Sequence, residues 1–123
     1  MRPRTVLALA AVAAAALVTA SAFAIGGTAV PGNPVRGKAL FVRPGLFCGS
    51  CHTLKAARST GRDGANLDNA KPGYAKIVEF VTKGSTPTRR WPTGMPGFGG
   101  RHAELTKAEI QDIAAFVYNA THR

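Results

Sequence analysis

Cysteine is scarce in this chain. Cys48 and Cys51 are the only two among 123 residues, so no further thiol can join them in a four-cysteine metal site. Methionine is nearly as rare, because Met95 is the only one after the initiator. Six acidic residues stand against 16 basic ones, a formal net charge of +10. No charge falls between Arg4 and Arg36, and no convincing strand alternation appears anywhere. The missing strands remove the βαβ setting in which a redox-active C-x-x-C pair belongs. There is no internal repeat, and the length allows one ordinary domain.

The uncharged run lies at the N-terminus. "MRPRTVLALAAVAAAALVTASAFA" sets two arginines before an apolar stretch and ends on the small-residue patterns Ala20-Ser21-Ala22 and Ala22-Phe23-Ala24. This is the order of a secretory signal peptide, residues 1–24. The competing reading is an uncleaved anchor, since about 20 apolar residues can cross a bilayer. Cleavage after Ala24 would leave 123 − 24 = 99 residues and a formal charge of 16 − 2 − 6 = +8. So short a chain has a thin core, and anything apolar bound inside it matters to stability. A basic balance suits acidic protein partners, anionic lipid or nucleic acid. Export argues against nucleic acid, and the charges are scattered, with Arg89 and Arg90 the one adjacent pair, so a solvated basic surface is the simpler account of any single lysine. Export also places Cys48 and Cys51 where unprotected thiols oxidise.

After a glycine- and proline-rich lead-in, residues 25–33, the chain reads as helices joined by loops. Asn33 and Pro34 resemble an N-cap and first helical residue, opening a helix to about Val42 that Pro44 and Gly45 end. A short helical turn is expected over Cys48 to Leu54, then a polar loop. Tyr74, Ile77, Val78 and Val81 share one apolar face of a middle helix expected from Pro72 to about Lys83, with Gly84 as its C-cap. "STPTRRWPTGMPGFGG" can be neither helix nor strand. Thr106 and Glu109 form a capping box ahead of Ile110, Ile113, Ala114, Val117 and Tyr118.

"FCGSCHTL", Phe47 to Leu54, holds both thiols and a histidine. A disulfide across two residues closes too small a loop to stabilise much. A structural zinc would need a fourth ligand beyond Cys48, Cys51 and His52, from His102, His122 or a carboxylate. C-x-x-C-H otherwise reads as c-type haem attachment, in which both thiols become thioethers and His52 is drawn under the iron. That reading explains why two cysteines survive export. The sixth ligand then decides the function. Met95, in the glycine- and proline-rich loop, is the candidate over a gap-filling role, with His102 and His122 as rivals.

These residues resemble the monohaem class I cytochromes c, particularly the short exported bacterial ones, from about Pro34 to Tyr118. "GKALF" is similar to the family's first helix, "CGSCH" to its haem motif, "GANLD" to the loop below the haem, "GMPGFGG" to the methionine loop and "LTKAEIQDIAAFVY" to the last helix. The resemblance implies an all-α class I cytochrome c fold over residues 34–123, with three main helices and loops wrapped around one covalently bound haem. It implies haem c on Cys48 and Cys51, iron ligands His52 and Met95, and no catalytic residue. Gly37 and Phe41 should meet the last helix around Phe116, Val117 and Tyr118. Many relatives have proline where this chain has Ala65, and that proline's carbonyl accepts the proximal imidazole N–H; Ala65 keeps a carbonyl for this bond but implies a less rigid loop and a less firmly oriented ring. Trp91 or Arg90 is expected either near a haem propionate or in a surface or packing role. The function so implied is an exported carrier passing single electrons between redox proteins with acidic docking surfaces, with membrane contact only through an uncleaved N-terminus. A subunit of a larger exported or membrane oxidoreductase and a small haem enzyme or sensor with an open sixth site are the alternatives.

Overall fold

The computed structural model describes residues 29–100 and 104–123, so the expected signal segment and His102 lie outside the described residues. The first helix, α1, spans Pro34–Phe41. The Asn33 carboxamide oxygen accepts the backbone N–H groups of Val35 (2.9 Å) and Arg36 (3.1 Å), and Pro34 occupies the first turn where no N–H is needed.

The last helix, α5, spans Lys107–Thr121 and starts at the expected capping box. Thr106 Oγ1 accepts the Glu109 N–H at 3.2 Å, and the Glu109 carboxylate accepts the Thr106 N–H at 2.8 Å. Helix α1 packs closely against α5, and the crossing is built on Gly37. A methyl group there would fall on the Asp112 carbonyl and lie 2.8 Å from Phe116 Cβ. Phe41 meets Phe116 edge to face, with ring centroids 5.8 Å apart, as the resemblance implied. Tyr118 turns instead towards Tyr74, at 6.4 Å, and stacks on His122 at 4.1 Å.

Asp112, which the apolar pattern of α5 does not single out, fastens the same crossing. Its carboxylate accepts the Asn33 N–H at 2.6 Å and the Arg36 guanidinium at 2.9 Å. The last residues of the lead-in, Gly32 and Asn33, are thereby held against α5. Helix α5 buries Ile113, Asp112, Phe116 and Val117 in one stretch because it is covered on more than one side.

Between these helices the chain forms short elements. Helix α2 is Cys48–Cys51, shorter than the expected turn to Leu54. His52 is already extended (φ −112°, ψ 133°), and Thr53–Leu54 (β1) pairs antiparallel with Ser59–Thr60 (β2) around a 3-10 turn at Lys55–Ala57. The expectation of no strand is corrected here, though by two residues on each side. Side chains hold this ladder: Ser59 Oγ accepts the Leu54 N–H at 3.0 Å, and Thr53 Oγ1 donates to the Gly61 carbonyl at 2.8 Å. Hydroxyls at these positions offer the backbone an alternative to continued helix. A four-residue helix, α3, spans Leu67–Ala70. Helix α4 spans Tyr74–Lys83, starting two residues later than expected because Pro72 stays outside and Gly73 is the N-cap. Ile77 and Val81 are its buried residues. No described helix is long and apolar enough to cross a membrane.

Candidate functional site

An apolar cavity of about 400 Å³ opens between α2, α4, α5 and the loop that follows α4. Cys48, Cys51, His52 and Met95 all line it, together with apolar side chains such as Phe41, Ile77, Ile113 and Val117. A mainly apolar space of this size with a few polar groups is the form of a small-molecule or cofactor site.

One wall is the Cys48–His52 segment. Both thiols are free and half-buried. Burial pushes the Cys48 thiol above its ordinary value, against the opposing pull of its backbone hydrogen bond and, more weakly, of Arg43. His52 Nδ1 lies 2.8 Å from the Ala65 carbonyl oxygen. A carbonyl can only accept, so Nδ1 carries the proton and Nε2 is left with the free lone pair a metal requires. Gly64 also lies close against the imidazole. Its N–H donates to the Cys51 carbonyl at 2.7 Å, and a Cβ at Gly64 would lie 2.6 Å from His52 Cε1. The ring is therefore fixed in orientation by backbone alone.

Met95 reaches the cavity from the opposite loop, which is tied to the end of α4. The last carbonyls of a helix lack partners within it. Here Gly84 donates to Phe80 at 2.7 Å, Phe98 to Val81 at 2.8 Å and Gly99 to Thr82 at 3.1 Å. Ser85 and Met95 exchange two backbone hydrogen bonds, at 2.8 and 3.1 Å, in an isolated antiparallel bridge. Gly84 permits this approach through its positive φ of 71°, which a larger residue would adopt only with strain. A loop that composition marks only as neither helix nor strand thus has a defined course. Its signal was present in the glycines, but the partner carbonyls belong to another element.

Trp91 also lines the cavity, held in a turn by hydrogen bonds of 3.0 Å between Thr88 and Trp91, while the Arg90 guanidinium sits 5.4 Å from the indole centroid. His122 lies elsewhere, at the C-cap of α5, with Nδ1 3.0 Å from the Tyr118 carbonyl. Among the described residues no three histidine, cysteine or acidic side chains gather as a metal cluster, so they offer no four-ligand zinc site.

Comparison with known proteins places this geometry. No curated protein matches the chain. Residues 32–117 match the family model described as cytochrome c oxidase, cbb3-type, subunit III. The fold is similar to the crystal structure of the c-type cytochrome SorU from Sinorhizobium meliloti, at 30% sequence identity and a TM-score of 0.60, over 72% of this chain and 90% of that one. A family match over residues 32–117, joined to a cytochrome of the same fold, leaves one conclusion: the chain belongs to the monohaem class I cytochromes c, within the family of cbb3-type cytochrome domains.

Proposed function

We propose that this protein is an exported one-electron carrier. Residues 1–24 would be its secretory signal, 25–33 a lead-in and 34–123 the cytochrome domain, its helices and loops enclosing one haem. The observation that carries the reading is the convergence of Cys48, Cys51, His52 and Met95 on one apolar cavity, with the imidazole already oriented. Family membership implies haem c and electron transfer; the ligand set is our assignment. Cys48 and Cys51 would hold the haem as thioethers, and His52 and Met95 would ligate its iron.

When bound, the haem supplies an iron that gains and loses one electron. The chain's part is to hold that centre still. The Ala65 carbonyl fixes the His52 tautomer and the orientation of its ring. The apolar walls exclude water and disfavour added charge. Two protein ligands leave no open position, so the protein would turn over no substrate. With +8 on the cleaved chain, acidic redox proteins would be drawn to it.

A second reading is favoured by the family description itself, which names a subunit of an oxidase. The chain would then be the electron-transfer subunit of a larger exported or membrane complex. Sizing the native protein separates the two, a small free species supporting the carrier. The shared premise is tested by denaturing the protein: haem should stay with the chain in wild type and be lost on Cys48→Ser with Cys51→Ser. Haem released from denatured wild type would refute covalent attachment.

A further inference from the structure

The groups that fix the His52 ring are backbone, but that backbone is itself held by side chains. Residues 61–66, which carry the Ala65 carbonyl, belong to no helix or strand. The Ala65 N–H makes no hydrogen bond among the described residues, so the imidazole is the only polar partner of this peptide unit. A carbonyl on such a loop keeps its place only if the chain on either side of it is fixed.

Three hydrogen bonds fix it, and all three come from the segment that contains His52. Before His52, the Cys51 carbonyl accepts the Gly64 N–H at 2.7 Å. Directly after His52, Thr53 Oγ1 donates to the Gly61 carbonyl at 2.8 Å. Two residues further on, the Lys55 N–H donates to Asp68 Oδ2, also at 2.8 Å. Gly61 opens the loop and Asp68 follows it in α3, so the Ala65 carbonyl is held from both ends. The segment that holds it is firm, since Leu54 is fully buried between Thr53 and Lys55 and its N–H is bound by Ser59 Oγ at 3.0 Å. Gly61 is drawn so close to α2 that a Cβ there would fall on the Ser50 carbonyl. Of the three bonds, two depend on a side chain, those of Thr53 and Asp68.

We infer that Thr53 and Asp68 are positioning residues for His52. They hold residues 61–68 in the register that brings the Ala65 carbonyl to Nδ1, and through that bond they set the orientation of the ring. The inference rests on the ligand assignment above and deepens it, by naming the side chains that keep the ligand in place.

The test uses haem-loaded, reduced protein, in which the His52 Nδ1 proton is followed by proton NMR as it exchanges with heavy water. Thr53→Val keeps the branched shape and suits a strand, so it should fold while losing the hydroxyl. Its Nδ1 proton should exchange about tenfold faster, the effect of losing one hydrogen bond of ordinary net strength, and its reduction potential should shift. Thr53→Ser keeps the hydroxyl and should restore both. Asp68→Ala should act as Thr53→Val does, and Asp68→Asn, which retains an acceptor oxygen, should act as wild type. Thr106→Ala is the control, since it weakens the cap of α5: it should lower the midpoint in urea and leave exchange and potential unchanged. Wild-type exchange and potential in both Thr53→Val and Asp68→Ala would overturn the inference and leave the carrier reading standing. An equal change in Thr106→Ala would also overturn it, by making the effect one of overall stability. His52 ring protons at the NMR positions of a free imidazole in the reduced wild type would refute the ligand assignment, and the inference with it.

Discussion

Gly64 and Asp112 show how much two residues can decide here without touching a substrate. Gly64 lies so close to His52 that Gly64→Ala must push the imidazole or break the 2.8 Å bond to Ala65. Haem-loaded Gly64→Ala should therefore show a changed ferric spectrum and a shifted potential, whereas a spectrum identical to wild type would mean the ring has room to move. Asp112 decides stability in acid. Burial by itself would raise its carboxyl, but the Asn33 N–H, the Arg36 hydrogen bonds and the Arg36 charge together hold it below its ordinary value. A carboxyl with a lowered folded-state value binds fewer protons in the folded than in the unfolded chain. Its contribution is complete above the unfolded value of about 4 and is lost as pH falls through the lower folded value. Asp112→Asn should destabilise by about 1–3 kcal/mol at neutral pH and flatten the loss of stability below about pH 4, as read by denaturant titration. An unchanged acid slope would assign that dependence to other carboxylates.

The elements carry their own consequences. Helices α1 and α5 meet at Gly37 through backbone, which cannot move aside as a side chain can. Gly37→Ala should force the helices apart and cost about 1–3 kcal/mol or more, visible as a lower midpoint in urea. Thr106→Ala removes only a cap and should cost about 1 kcal/mol. The helices were legible in the sequence because each repeats one local pattern: Asn33-Pro34, the Thr106 and Glu109 pair, the apolar face of Ile77 and Val81. Helix starts were less legible, as Pro72 shows, since a proline can precede a helix as well as begin it. The β1–β2 ladder was not legible, because two residues carry no period and its support comes from Ser59 and Thr53 side chains. Asp112 was missed because its partners lie far away in sequence, at Asn33 and Arg36. The course of the Met95 loop was missed for the same reason, its hydrogen bonds running to α4 carbonyls.

For the whole molecule, charge and ligation make separate predictions. Fourteen basic residues on the cleaved chain (16 − 2) against six acidic ones should make association with an acidic redox protein fall steeply with ionic strength, since exposed charges are screened over about 10 Å at 0.1 M salt. Stopped-flow rates across a salt series would check this, and a flat series would leave docking to apolar contact. The central claim is narrower: Met95, over forty residues from His52 in sequence, lines the same cavity and is proposed to complete the iron's coordination. Its most direct test is the absorption spectrum and reduction potential of haem-loaded wild type and Met95→Ala, each oxidised and reduced. The account predicts a six-coordinate low-spin wild type that binds carbon monoxide poorly, and a Met95→Ala protein with an altered ferric spectrum, a lower potential and ready carbon monoxide binding. An unchanged spectrum and potential in Met95→Ala would contradict it.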